Sequence, residues 1–250
     1  MSEQAKPASR AKRGVRSWLV PGGIIVIAGL LLATVIVQAQ PEQSATTAVN
    51  ESADGSATAP SELPDLTQFE YRDPSDVQAI GPVDAPVALV VFSDYQCQFC
   101  AKWTQSTLPE MMKYAEAGDL RIEWRDINMY GEASDRASRA AHAAGLQSKF
   151  WEYHNALYPN GTHRSEAELS LDALVTVATE LGLDTEKFVA DLNSPAVLAT
   201  INKRAEEARQ LGVTGTPSFL LNGEPIVGAQ PTALFVDTID SLLLDAESGQ

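Results

Sequence analysis

Cysteine is scarce in this 250-residue chain, with Cys97 and Cys100 the only two. Two are too few to staple a miniature disulfide fold, and a chain of this length with 44% hydrophobic residues can build its core without staples. Histidine is nearly as scarce. A structural zinc site takes four ligands, no second cysteine pair exists, and His142, His154 and His163 lack a paired ligand spacing, so no metal site is expected. Those three histidines read as surface residues of helices and a loop, and nothing positions one as the base of a cysteine hydrolase. Basic residues are also few, 18 against 33 acidic ones, a net charge of −15. The deficit deepens beyond residue 39, where 13 basic residues face 32 acidic ones for a net charge of −19. Such a surface repels phosphates, so nucleic acid is excluded as a partner.

Long uncharged apolar runs are limited to one, Trp18 to Val37, which follows Lys6, Arg10, Lys12, Arg13 and Arg16. Twenty residues at about 1.5 Å each span roughly 30 Å, the thickness of a bilayer's hydrocarbon core. The expected organisation is a cytoplasmic basic segment at 1–17 and a transmembrane anchor at 18–37, with the rest of the chain on the extracytoplasmic side of the cell membrane. Val37 and Ala39 offer a small-residue cleavage pattern, but the run is longer than a signal peptide's apolar core, which favours the anchor. Residues 38–65, rich in Ser, Thr, Ala, Glu and Pro, cannot bury enough surface to order themselves and read as a flexible linker.

From residue 66 the pattern alternates between strand and helix periods. "PVALVVFSD", Pro86 to Asp94, reads as a strand buried on both faces. A helical segment from Gln98 to about Ala117 follows, with a break expected near Thr107 because Pro109 cannot continue the ladder. "LRIEWRDI" alternates polar and apolar residues as a second strand does. An all-helical block comes next, with an alanine stripe (Ala137, Ala140, Ala141, Ala144) and Ser170 as a helix cap. "SFLLNGEPIV" is a hairpin around Asn222-Gly223, and a last helix presents Phe235, Ile239, Leu242 and Leu243 on one face.

Chemistry concentrates in "FSDYQCQFC". A helix N-terminus supplies unpaired N–H groups and about half a positive charge, which stabilise a thiolate. Cys97 stands at that end as the expected exposed nucleophile, and Cys100, one turn further in, is placed to resolve a mixed disulfide. An inert disulfide is the plainer reading, weakened because so small a ring removes little unfolded-state entropy.

The motifs "FSDYQCQFC" and "GVTGTPSFLLNG", separated by a helical block, resemble the DsbA-like branch of the thioredoxin superfamily, the bacterial extracytoplasmic thiol-disulfide oxidoreductases. The resemblance covers roughly residues 66–250. It implies an α/β thioredoxin fold with an inserted all-helical subdomain at about 131–194 and no cofactor. It further implies a cis bond at Thr216-Pro217 whose backbone pairs with client peptide, and redox tuning by Gln98 and Phe99. Its implied partners are reduced exported client proteins and a membrane quinone-linked reoxidising partner. Two positions depart from the pattern: Gln98 stands where many relatives carry proline, and Val91 where many keep a buried acid. Asp94 is the nearest carboxylate and is expected to cap the turn. At about 8 Å its charge opposes the thiolate by roughly 1 kcal/mol, against up to about 2 in favour from the helix end. Three functions remain open: an oxidase, a reductase or isomerase, and a non-enzymatic peptide-binding or chaperone module with a structural disulfide.

Overall fold

A computed structural model describes residues 65–249, so the basic segment, the apolar run and nearly all of the linker lie outside the described residues. Among the described residues no helix is long and apolar enough to cross a membrane. Five strands among the described residues form one sheet in the order β1-β3-β2-β4-β5: β1 Ala79–Ile80, β2 Val87–Ser93, β3 Leu120–Asp126, β4 Ser218–Leu221 and β5 Glu224–Val227. Only β2 and β3 run parallel, which requires a crossover. Helices α1 (Gln98–Ser106) and α2 (Leu108–Ala117) supply it, and the chain breaks between them at Thr107, as Pro109 in the first turn of α2 demands.

The β-branched run of β2 is buried at every position because both faces of the sheet are covered. On one face Val87, Leu89 and Val91 join Ile122 and Trp124 of β3 and Phe219 of β4 in the main core. Trp103 of α1 sits at its centre, with ring centroids 4.9 Å from Phe219 and 5.6 Å from Phe235. On the other face Val90, Phe92 and Leu220 meet Ala208 in a smaller cluster. The alternation in β3 does not mark a solvent face. Arg121, Glu123 and Arg125 are buried among the residues that precede β1, where they pair with one another and with Asp76.

Between β3 and β4 lie α3 (Glu132–Gly145), α4 (Phe150–Leu157), α5 (Leu171–Glu180), α6 (Thr185–Leu192) and α7 (Pro195–Gln210). The alanine stripe of α3 is fully buried; its small side chains let α4 and α6 approach closely. Ser170, Asp184 and Ser194 accept from the third residue beyond them and cap α5, α6 and α7. The hairpin turn has Asn222 and Gly223 both at positive φ, 51° and 81°, the combination a two-residue turn matching the strand twist requires. The last helix, α8 (Thr232–Ser248), buries Phe235 and Ile239 against the sheet.

Candidate functional site

The C-terminal end of β2 delivers Ser93 and Asp94 to the turn that opens α1. The buried Asp94 carboxylate organises this turn. Its Oδ1 accepts from the Gln96 N–H at 2.7 Å and the Ser134 hydroxyl at 2.6 Å, and its Oδ2 accepts from the Tyr130 N–H at 3.2 Å. Its backbone carbonyl accepts from the Cys97 N–H and the Tyr158 hydroxyl. Asp94 thereby ties the turn to the entrance of the helical block, a larger part than a simple cap.

Cys97 is itself the N-cap of α1, and its sulfur accepts from the Cys100 N–H at 3.3 Å. The Cys97 thiol donates to the Thr216 carbonyl at 3.2 Å, which joins two motifs 119 residues apart. The Thr216-Pro217 bond is cis. The two cysteines are unbonded and approach to 3.1 Å. Cys97 is not the exposed residue the sequence led us to expect: it is 2% accessible, packed within the core cluster beside the Thr216 carbonyl. The exposed position in the motif is Phe99, 60% accessible, next to Gln98 on the surface.

The two thiols stand in opposite environments. A hydrogen bond from the Cys100 thiol, joined by the Thr216 side chain and the N–H groups of Cys100 and Phe99, lowers the Cys97 pKa to about 6. Burial pushes the Cys100 thiol well above its ordinary range, and the neighbouring Cys97 adds to the rise.

Two residues close to the cysteines, Tyr130 and Asp126, carried no local signal in the sequence. Tyr130, in the loop before α3, is exposed, and its phenol feels both the Cys97 charge and Thr216. Asp126 ends β3 beside the strand that feeds the cysteines. Carboxyl ends of adjacent parallel strands are where such sites gather, and that signal could have found it. The histidines need correction. His154 is fully buried, with Nδ1 on the Tyr95 hydroxyl and Nε2 on Thr104, and His142 is buried against Gln78; only His163 is a surface residue. Period alone does not reveal which helix face a block of five packed helices leaves in water.

These burials set a pH dependence of stability. Burial pushes His154 down to about 3 and His142 down to about 4, so the unfolded chain takes up protons below about 6.5 that the folded chain refuses. Burial pushes Asp126 up to about 7, which acts with the opposite sign: acidification from there toward the ordinary carboxylate range favours the fold. Two losses against one gain leave a net loss of up to about 1.4 kcal/mol per pH unit between roughly 6.5 and 4. Urea midpoints measured at pH 7, 6, 5 and 4 should fall progressively. A flat profile would contradict the buried neutral imidazoles.

Fold and paired sulfurs together define a thioredoxin-like thiol-disulfide protein. The family described as thioredoxin matches residues 74–241. A probable disulfide bond formation protein D of Bacillus cereus is 30% identical over 60% of this chain and 71% of its own length. The crystal structure of a thioredoxin-like oxidoreductase from Silicibacter pomeroyi has 29% identity and a TM-score of 0.56, covering 68% of this chain and 97% of that one. Oxidised BdbD from Bacillus subtilis has a TM-score of 0.60 over 66% of this chain and 92% of its own, and at 22% identity it speaks for the fold alone. The chain belongs to the thioredoxin family, as a DsbA-like thiol-disulfide oxidoreductase.

Proposed function

We propose that the protein is a membrane-tethered oxidase that introduces disulfides into exported proteins through Cys97 and Cys100. The observation that carries the reading is the approach of the two sulfurs to 3.1 Å at the start of α1, with Cys97 capping the helix, its thiol acidified to about 6, and Cys100 buried behind it with its thiol raised. Starting from the Cys97–Cys100 disulfide, a client thiolate attacks Cys97 Sγ, a client–Cys97 bond forms, and the electron pair of the broken bond leaves on Cys100. A second client thiolate then attacks the client sulfur and expels Cys97 as a thiolate. Cys97 is the better leaving group at neutral pH, which favours release of the oxidised client. Thr216, whose carbonyl meets the Cys97 thiol, and Pro217 after it are assigned to hold the client's extended backbone, and the exposed Gln98-Phe99 pair to tune the thiolate. The Trp18 to Val37 run serves as the anchor that keeps the dithiol on the extracytoplasmic side, within reach of a quinone-linked membrane partner that restores the disulfide.

Equilibration against glutathione buffers tests the direction of the reaction. An oxidase is expected to show a reduction potential near about −120 mV. A value near about −270 mV would make the protein a reductase, and one below about −300 mV a carrier of a structural bond.

A further inference from the structure

The chemistry proposed above leaves a proton unaccounted for. When Cys100 departs from the disulfide its sulfur is buried, and its thiol has the raised pKa that burial imposes, so a bare thiolate there needs a proton donor at once. Val91 of β2, six residues before Cys97 and packed in the same core cluster as Cys100, offers no carboxyl.

The sheet places a carboxyl elsewhere on the same face. Ser93 and Asp126 are register partners across the parallel β2–β3 pair, the last of the run that begins at Val87 and Leu120. Paired positions in neighbouring strands project to one face, here the face on which Val91 and Trp124 pack with Cys100. Ser93 and Asp126 are both wholly buried.

Hydrogen-bond accounting leaves two vacancies that match. Asp126 Oδ2 accepts from Gln78 Nε2 at 2.9 Å and Oδ1 from Trp124 Nε1 at 3.1 Å. Both partners only donate, so a protonated Asp126 has no acceptor among them for its own proton. Ser93 Oγ, opposite in register, is buried without a hydrogen-bond partner and lies toward Cys100 and the Tyr158 hydroxyl. A hydroxyl both accepts and donates, which a relay between acid and sulfur requires.

We infer that Asp126, acting through the Ser93 hydroxyl, supplies the proton to Cys100 when the disulfide opens and removes it when the disulfide closes. On opening, the Asp126 carboxyl proton passes to Ser93 Oγ while the Ser93 proton passes to Cys100 Sγ, leaving an Asp126 carboxylate and a Cys100 thiol. On closing, the same transfers run backwards, and the Cys100 thiolate attacks Cys97 in the mixed disulfide and expels the client thiolate. No external oxidant or reductant enters the proton step.

The surroundings suit a group that changes charge near neutrality. Burial holds Asp126 at about 7, opposed by the Gln78 hydrogen bond and by Arg204 of α7. The other titratable groups facing it are Asp94 from the turn, Tyr95 and Tyr158. Behind Gln78, whose Oε1 accepts from His142 and Arg204, lies a cavity of about 300 Å³ lined by Tyr71, Asp76, His142, Lys203 and Arg204.

The inference rests on the oxidoreductase reading, and one assay separates the two. The reduced full-length chain is mixed with one equivalent of a chromogenic aromatic disulfide, and two releases of aromatic thiolate are followed by absorbance. The first reports attack by Cys97, the second displacement by Cys100. In the unmodified protein the second phase should accelerate with pH through about 7 and then level. Asp126→Asn should leave the first phase unchanged and slow the second by about tenfold or more at pH 7.5, its rate then climbing with hydroxide and not levelling. Ser93→Ala should slow the second phase as well, and the double variant should be no slower than Asp126→Asn alone. A folded Asp126→Asn protein with an unaltered second-phase pH profile would overturn the relay. Should that variant fail to fold, an unaltered profile in Ser93→Ala overturns it equally. Absence of the first phase would sink the oxidoreductase reading and leave the relay no step to serve.

Discussion

Cys100→Ser is expected to leave client proteins stranded on Cys97 as mixed disulfides, visible as slow-migrating bands on non-reducing gels that collapse on adding reductant. A serine hydroxyl cannot displace a disulfide sulfur, whereas the acidified Cys97 continues to exchange at neutral pH. Cys97→Ser should form no such adducts and should lose client oxidation by at least about 10³-fold, the scale on which removing a covalent nucleophile acts. The asymmetry follows from placement. Cys97 caps α1 and draws on the N–H groups of the first turn, while Cys100 lies within the core behind it with its thiol raised. Adducts that formed equally in both variants would remove the distinction between attacking and resolving sulfur, and adducts confined to Cys97→Ser would reverse it.

Much of the architecture was legible because local signals and tertiary demands coincide. Asn222-Gly223 supplies the two positive φ values of the hairpin, Pro109 breaks the helix at Thr107, and Ser170 caps where a cap was expected. The cysteine motif was legible for the same reason: a buried strand, a turn and a helix start are each written in adjacent residues. What escaped was whatever depends on residues brought together from far apart. Tyr130 reaches the site only because Asp94 holds its backbone, and nothing in "NMYG" announces that contact. Cys97 read as exposed because a helix N-terminus usually faces water, while the Thr216 carbonyl that packs beside it arrives from 119 residues away. His142 and His154 read as surface residues because a histidine in a polar helix carries no mark of the partners that make its burial tolerable.

The alternation in β3 misleads in the same way, and it leads to the largest expected effect on stability. Glu123 is fully buried, and its carboxylate takes four donors: the Arg72 N–H at 2.6 Å and Arg121 Nε at 2.9 Å on Oε1, the Tyr71 N–H at 3.0 Å and Arg125 Nη2 at 2.7 Å on Oε2. Arg125 continues to Asp76, which also binds Arg204. Glu123→Gln keeps the shape but removes the charge, leaving two buried guanidinium groups undercompensated and turning an amide NH₂ toward groups that can only donate. Breaking such a pair on one side costs about 3–5 kcal/mol, because the desolvation of the remaining ions is no longer offset. The urea midpoint should fall by roughly 1 to 2 M. Glu110→Gln, which opens the exposed pair with Lys113, should cost no more than about 1 kcal/mol and serves as the comparison. The network anchors the Glu70 to Gln78 segment to the sheet, and that segment carries the Gln78 amide to Asp126, so its loosening should reach the resolving step before it reaches the nucleophile. In Glu123→Gln at low denaturant, Cys97 should alkylate at its usual rate, because its contacts are to Cys100 and Thr216, on other elements. A midpoint within about 0.3 M of the unmodified protein would show that water or rearrangement replaces the lost charge, and that the buried carboxylate is a tolerated passenger of the strand and not its anchor.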